Sequence, residues 1–178
     1  MSPSAAVAAL ADVFPADGVI VPESPASTFA IRERLRLSRP GSYYFTSGGG
    51  LGFALPGSIG VQMAQPDRPV VCVLGEGSAQ YAIQGFWTAV AYDVPVTFLV
   101  LRNEEYAILK WFGEIEHVTG VPGLDLPALD VAAVAEGYGV PSVRADEREA
   151  LTEALRDGIA APGPRLVEAR VARGMAFG

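Results

Sequence analysis

The chain has 178 residues, half of them hydrophobic, and a net charge of −7 from 13 Lys and Arg against 20 Asp and Glu. This balance excludes a broad nucleic-acid surface, which needs clustered basic side chains, but not a phosphate ligand, because backbone amides and a divalent cation can neutralise phosphate locally. The single cysteine, Cys72, excludes an internal disulfide, and there is no signal-peptide pattern or apolar run of membrane-spanning length, so we expect a cytoplasmic protein.

Helical and strand patterns alternate along the chain. The first half predicts, in order, a helix at Pro3 to Phe14, a strand at Gly18 to Val21, a helix at Ser27 to Leu37, a strand at Tyr43 to Thr46 and a helix at Phe53 to Ala64. The second half predicts strands at Val70 to Leu74, Val94 to Leu101, Val140 to Val143 and Pro164 to Ala169, with helices at Tyr81 to Tyr92, Glu105 to Glu116, Val131 to Tyr138 and Arg148 to Ile159. Strands separated by helices of about ten to fifteen residues predict an α/β fold, a three-layer αβα sandwich with a mainly parallel, doubly wound sheet of about six strands. We expect residues 1–178 to form a single domain.

Two of the predicted strands, Val70 to Leu74 and Val94 to Leu101, are continuous apolar runs. Such runs are typical of strands that are buried on both faces of a parallel sheet, and Cys72 in the first run is expected to be inert packing. The helix between them, Tyr81 to Tyr92, is apolar nearly all round, which predicts a deeply buried helix. A Pro/Gly-rich loop is expected from Gly120 to Asp130.

Polar groups follow each of these two strands at the point where the strand ends. Gly75-Glu76-Gly77-Ser78 follows the first strand, and Arg102-Asn103 follows the second. Because the carboxyl ends of parallel strands meet at one edge of a sheet, we expect the Glu76 carboxylate and the Asn103 amide to lie together. A carboxylate, an amide and backbone carbonyls suit a Mg²⁺ or Ca²⁺ ion that holds a phosphorylated ligand.

Other functions fit the same motifs less well. The run from Gly48 to Gly52 lacks the G-x-G-x-x-G spacing and the later acidic residue of a dinucleotide-binding loop. Gly-Glu-Gly-Ser lacks the G-x-S-x-G elbow of a hydrolase and a suitable histidine, because we expect the single histidine, His117, to be a surface residue. The aromatic residues Tyr106, Trp111 and Phe112 suit either a core or oligomer interface or a cofactor contact.

Taken together, these motifs resemble a known family. Gly75-Glu76-Gly77-Ser78, followed after 23 residues by Arg102-Asn103, resembles the Gly-Asp-Gly to Asn-Asn signature of thiamine diphosphate enzymes. Nearly the whole chain is similar to the C-terminal, pyrophosphate-binding domain of benzoylformate decarboxylase, with matching stretches at residues 40–45, 49–56, 87–89, 111–112 and 121–125. The resemblance implies a domain of a 2-oxo acid decarboxylase that binds thiamine diphosphate and Mg²⁺, with Ca²⁺ as an alternative ion.

The resemblance also implies roles for particular positions. Metal binding falls on Glu76, Asn103 and the backbone carbonyl of Glu105. Cofactor binding falls on Gly49, Leu51, Gly75, Gly77, Ser78 and Tyr106. Among these, Leu51 is expected beneath the thiazolium ring, and the Gly49 carbonyl is expected to accept from the aminopyrimidine. The substrate pocket falls on Ile108, Leu109 and Phe112, where isoleucine at 108 is expected to narrow the pocket.

Departures from the family pattern bear on these roles. Glu76 stands where the family has aspartate, and we expect it still to ligate, with some backbone adjustment or a looser geometry of the kind that Ca²⁺ accepts. The alternative for Glu76 is a solvated turn glutamate at a weakened site. Arg102 replaces the first asparagine, and Glu104 and Glu105 are expected to be helix N-terminal acids, with side-chain metal ligation as the alternative. Pro25 removes a threonine hydroxyl that the family has near the diphosphate.

Most of such an enzyme lies outside the matching region. In the family, the glutamate that activates the aminopyrimidine comes from the N-terminal, pyrimidine-binding domain of a neighbouring subunit, and the acid-base histidines also lie elsewhere. We therefore expect no complete catalytic set in this chain, a pyrimidine-binding domain or subunit as its partner, a homo-oligomer, and a small 2-oxo acid as substrate. The chain is either a fragment of a longer enzyme or a subunit of a split one. The alternatives are a domain of an acetolactate synthase-like carboligase and a non-catalytic assembly domain with a degraded cofactor site.

Overall fold

The structure, a computed structural model, describes residues 1–176. Five strands lie in this range: β1 (Val19–Glu23), β2 (Val70–Gly75), β3 (Val96–Arg102), β4 (Ser142–Arg144) and β5 (Arg165–Arg170). The helices of the same range are α1 (Pro3–Val13), α2 (Thr28–Arg34), α3 (Ala54–Ala64), α4 (Glu76–Ala79), α5 (Gly85–Ala91), α6 (Ala107–Ile115), α7 (Val131–Gly137) and α8 (Arg148–Ala160), with a 3₁₀ turn at Pro25–Ser27 before α2. None of these helices combines the length and the apolar character that crossing a bilayer requires.

The strands form one sheet in the order β1-β2-β3-β5-β4, and each neighbouring pair in the described chain is parallel. The central position of β2 and β3 explains why their sequences are continuous apolar runs. Their register pairs Gly75 with Leu101, so the two strands end side by side. The prediction of an α/β fold with a doubly wound parallel sheet is confirmed.

Each face of the sheet has its own apolar core. Cys72 and Leu74 of β2 point towards the face that α3, α5 and α7 cover, whereas Val71 and Val73 point towards α1, α2 and α8. This alternation is the two-residue period of a strand, and helices on both faces give the predicted three layers. Cys72 is fully buried and burial raises the pKa of its thiol, so the cysteine is packing rather than a reactive group.

The prediction of a strand from Tyr43 to Thr46 is wrong. Tyr43 forms only an isolated parallel bridge with Ile20, and the chain turns directly afterwards, where Gly49 N–H donates to the Thr46 carbonyl at 3.1 Å. Glycines follow this segment closely, and glycine favours turns over extended strand. The segment before the turn is therefore too short to pair as a strand. The described sheet therefore has five strands rather than about six.

The prediction of a deeply buried helix from Tyr81 to Tyr92 is also wrong. The helix begins only at Gly85, and Tyr81, Trp87 and Tyr92 are 59%, 58% and 64% exposed. Phe86, the neighbour of Trp87, faces the sheet instead and is fully buried. Apolar composition alone does not set burial, because a helix that packs on a sheet turns only one face towards it.

Candidate functional site

A cavity of about 320 Å³ opens at the carboxyl ends of β2 and β3. The turns that follow these strands, the start of α6 and the glycine loop before α3 form its wall. Every site residue predicted from the sequence lies on this wall: Gly49, Leu51, Gly75, Glu76, Gly77, Ser78, Asn103, Glu105, Tyr106, Ile108, Leu109 and Phe112. The fold thus brings together residues that are far apart in sequence, while their roles as ligands stay predictions.

Glu76 begins α4 and is a buried carboxylate on the cavity wall, with only 1% of the residue exposed. Its Oε1 accepts a hydrogen bond from Glu104 N–H at 2.5 Å. Burial raises the pKa of this carboxyl, and backbone N–H groups, including those of residues 103–105, oppose that effect. Among residues 1–176 no basic side chain forms an ion pair with it. A buried carboxylate without a basic partner is costly unless a proton or a cation neutralises it, so a cation can be held at this position.

Asn103 is a second buried polar group on the same wall, placed directly after β3. Its Oδ1 accepts the Glu105 N–H at 3.2 Å, which orients the amide oxygen and leaves it a further lone pair. The described part of the chain contains no group of three His, Cys, Asp or Glu side chains placed to hold a metal. A carboxylate and an amide oxygen are ligand types that Mg²⁺ accepts, alongside backbone, water and phosphate oxygens.

The Glu105 side chain is engaged away from the metal position. Its Oε2 accepts from Lys110 Nζ at 2.6 Å and its Oε1 accepts from Gly174 N–H at 2.7 Å. Lys110 also pairs with Asp125 at 2.8 Å, and this contact ties the start of α6 to the loop predicted at residues 120–130. With both carboxylate oxygens occupied, the structure favours the prediction in which only the Glu105 carbonyl serves as a ligand.

The prediction that Glu104 and Glu105 are helix N-terminal acids is wrong. The helix α6 begins only at Ala107, because Glu104 adopts a left-handed conformation with φ of 61°, which no helix can continue. The Glu104 carboxylate lies 3.7 Å from Arg102 and 3.6 Å from Arg170. This loop conformation directs the Glu104 N–H at the Glu76 carboxylate.

Gly77 brings bare backbone to the cavity beside the Tyr106 ring. A Cβ at this position would lie 2.5 Å from the Tyr106 ring and 2.8 Å from Leu126, so only glycine fits. The adjacent Ser78 is buried and also faces the cavity. Burial and a hydrogen bond with Tyr81 raise the pKa of Tyr106, so this hydroxyl remains protonated and can donate a hydrogen bond.

Glu168 of β5 anchors an ion-pair network beside this loop. Its Oε1 lies 3.8 Å from Arg102 and 3.6 Å from Arg144, and Arg144 also contacts Asp130 at 2.6 Å. Arg102, which departs from the family signature, therefore links the loop after β3 to the sheet. Glu168 is only 2% exposed, and burial raises the pKa of its carboxyl although Arg102 opposes the shift.

This raised pKa makes stability depend on pH. A carboxyl whose pKa is higher in the folded than in the unfolded chain stabilises the fold at low pH. This contribution is lost as the pH rises through the pKa of the carboxyl in the folded chain. The ordinary pKa of a glutamate carboxyl is 4.5. As the pH rises from that value towards neutrality, we expect the free energy of unfolding of the wild type to fall relative to that of Glu168→Gln. Urea unfolding at a series of pH values measures this difference, with Glu149→Gln as the exposed control. A difference that does not change with pH would contradict the expectation.

Sequence reasoning placed Pro25 near the diphosphate but missed two other residues at the end of β1, Glu23 and Ser24. Ser24 and Pro25, which follow β1, line the cavity, and Glu23 supports the glycine loop from behind. The available signal was the carboxylate at the end of an apolar strand, the same pattern that singled out Glu76. His117 is exposed and does not line the cavity, as predicted.

Residues 26–169 match the family model described as thiamine pyrophosphate enzyme, C-terminal TPP binding domain. Benzoylformate decarboxylase of Pseudomonas aeruginosa is 45% identical over 154 residues, which are 86% of this chain and 29% of that protein. Acetolactate synthase isozyme 1 large subunit of Escherichia coli is 29% identical over 137 residues, 76% of this chain and 24% of that protein.

Solved structures give the same result. The 4-hydroxybenzoylformate decarboxylase of Rhodococcus jostii superposes with a TM-score of 0.94 at 39% identity, over 97% of this chain and 33% of that one. Benzoylformate decarboxylase from Polynucleobacter necessarius superposes with a TM-score of 0.94 at 33% identity, over 98% of this chain and 34% of that one. The chain thus spans about a third of the length of the proteins that it matches. It belongs to the C-terminal thiamine diphosphate-binding domain family, in the form found in benzoylformate decarboxylase-like enzymes.

Proposed function

We propose that this chain forms the metal- and diphosphate-binding half of the cofactor site in a thiamine diphosphate-dependent 2-oxo acid decarboxylase. One observation carries the proposal: the buried Glu76 carboxylate has no basic partner in the described chain and shares a cavity wall with Asn103 and the Gly77–Ser78 turn. A divalent cation at this point neutralises both the carboxylate and a bound diphosphate.

The residues of the wall divide the work between them. Glu76, Asn103 and the Glu105 carbonyl hold Mg²⁺ or Ca²⁺, and the backbone of Gly75, Gly77 and Ser78 receives the diphosphate. Leu51 and Gly49 contact the rings of the cofactor, and Tyr106, whose ring lies beside Gly77, faces its diphosphate end. When bound, thiamine diphosphate supplies an electron sink for the loss of carbon dioxide from a 2-oxo acid.

A partner must supply the rest of the catalytic machinery. The chain spans about a third of its relatives, so a pyrimidine-binding domain or subunit is part of the proposal, and the chain alone is expected to be inactive. The apolar face of α6 next to the cavity, where Leu109, Phe112 and Ile115 are each 49% exposed, is consistent with a covering partner in a homo-oligomer. A cytoplasmic location and a single domain over residues 1–178 belong to the same proposal.

Isothermal titration of thiamine diphosphate into the purified chain tests the cofactor-binding half of the proposal. With Mg²⁺ in excess we expect saturable binding, and with a chelator in its place we expect the binding heat to disappear. The absence of binding heat in the presence of Mg²⁺ would exclude the proposed function and favour a non-catalytic assembly domain.

A carboligase is the second candidate, because an acetolactate synthase large subunit is similar over 76% of this chain. Identifying the product that the intact enzyme forms from a 2-oxo acid separates the two functions. A decarboxylase releases one aldehyde for each carbon dioxide lost, whereas a carboligase joins the remaining acyl group to the carbonyl of a second molecule, which can be another 2-oxo acid, and forms a hydroxy ketone or a 2-hydroxy-3-oxo acid.

Ile108 is predicted to limit the size of the substrate. It lines the cavity at the start of α6, and replacing it by alanine removes roughly three carbons from the wall. In the intact enzyme we expect Ile108→Ala to raise the kcat/KM for an aryl 2-oxo acid by about tenfold relative to the kcat/KM for a small aliphatic one. A change of one methylene group in an apolar pocket is enough for an effect of this size. Val134→Ala, an exposed aliphatic change on α7 away from the cavity wall, is the matched control. An unchanged ratio in Ile108→Ala would contradict the pocket assignment.

A further inference from the structure

Glu23, the last residue of β1, binds the end of the glycine loop through its carboxylate. Its Oε1 accepts from Gly52 N–H at 2.8 Å, and its Oε2 accepts from Phe53 and Ala54 N–H at 2.8 and 2.7 Å. Glu23 is buried, with 5% exposed, and is absent from the cavity wall. The N–H groups at a helix start lack intrahelical partners, and the residue at the start of α3 provides no side-chain cap of its own. Glu23 therefore serves as the cap from a strand some thirty residues away.

The loop has few other constraints. A Cβ added at Gly48, Gly49 or Gly50 would meet no atom within 4 Å, so the side of these residues where a side chain would project is open. Gly49 and Gly52 have φ of 66° and 95°, in a region where glycine is conformationally free. The position of the loop on the cavity wall thus depends on the point where Gly52 is anchored, and Glu23 is that anchor.

We propose that Glu23 is a positioning residue for the ring end of the cofactor. It fixes the loop so that Gly49 and Leu51 lie on the cavity wall, and it does not touch the ligand itself. This inference rests on the proposed function, because it takes Leu51 as the support of the thiazolium ring. The groups assigned to the metal and the diphosphate, Glu76, Gly77 and Asn103, follow β2 and β3. Pro25, which also lies near the expected diphosphate, follows Glu23 closely, but the three hydrogen bonds of the Glu23 carboxylate all go to the glycine loop and the start of α3.

Because the Glu23 carboxylate holds only the glycine loop and the start of α3, the two ends of the cofactor give a selective test. In the full chain, Glu23→Gln keeps the shape of the side chain but turns an amide NH₂ towards one of the three N–H donors. With Mg²⁺ present, we expect the affinity for thiamine diphosphate to fall about tenfold, the effect of losing one charge-assisted hydrogen bond, and the affinity for inorganic pyrophosphate to stay within about twofold. Glu33→Gln, an exposed change on α2, is the matched control and should alter neither affinity. Equal loss for both ligands, or loss for neither, would overturn the proposal.

A second measurement does not need any ligand. Amide hydrogen exchange in the free chain should become at least about tenfold faster at Gly52, Phe53 and Ala54 in Glu23→Gln, whereas the Glu104 amide, bonded to Glu76, should be unchanged. Wild-type exchange rates at residues 52–54 would overturn the anchoring role. A wild-type chain that binds neither thiamine diphosphate nor pyrophosphate would overturn the proposed function and this role with it, even where the exchange result confirms the anchor.

Discussion

Replacing Glu76 by glutamine is expected to weaken Mg²⁺-dependent binding of thiamine diphosphate at least roughly 100-fold, because it removes the one negatively charged side chain assigned to the metal. The variant should fold, since glutamine keeps the side-chain length and can still accept the Glu104 N–H. Removing a buried charge without a basic partner should not destabilise the free chain. Isothermal titration at fixed Mg²⁺ measures the affinity, and circular dichroism checks the fold.

Two further variants make this result specific. Glu76→Asp keeps the carboxylate at the family's usual length, so we expect binding within about tenfold of wild type. Glu116→Gln, exposed at the end of α6, should leave the affinity unchanged. A Glu76→Gln chain that binds as tightly as wild type would rule out Glu76 as a ligand. A large gain in Glu76→Asp would instead identify the natural site as degraded.

Replacing Phe86 by alanine is expected to lower the free energy of unfolding by about 3–5 kcal/mol, the usual cost of emptying a buried aromatic position. Phe86 is fully buried between α5 and the sheet, and its ring meets Phe98 edge-on at 5.1 Å with an interplanar angle of 86°. Urea unfolding monitored by circular dichroism measures the loss.

The adjacent Trp87 is the matched control because it is 58% exposed. We expect Trp87→Ala to cost less than about 1 kcal/mol, as surface substitutions do. An equal loss of unfolding free energy in Phe86→Ala and Trp87→Ala would contradict this orientation of α5 and would favour a helix that is buried on all sides.

The sheet and the metal-binding edge could be predicted from the sequence because both depend on local patterns. The continuous apolar runs of β2 and β3 identify central parallel strands, and the residues directly after them must then lie at one edge. These patterns predict that Glu76 and Asn103 lie together at that edge, and in the structure both lie on one cavity wall.

The errors arise where tertiary contacts override local pattern. The apolar side chains from Tyr81 to Tyr92 give no sign of which face meets the sheet. The left-handed conformation of Glu104 is unusual for a non-glycine residue and delays α6 to Ala107. The role of Glu23 depends on β1 lying next to β2 and on hydrogen bonds that span about thirty residues, which no window of sequence contains.

A crystal structure of the chain with thiamine diphosphate and Mn²⁺ in place of Mg²⁺ tests the central claim most directly, because anomalous scattering locates the ion. The expected result is one ion at about 2.1 Å from a Glu76 carboxylate oxygen and from Asn103 Oδ1, with the diphosphate against Gly77 and Ser78. An ion or a diphosphate bound away from the ends of β2 and β3 would contradict the claim.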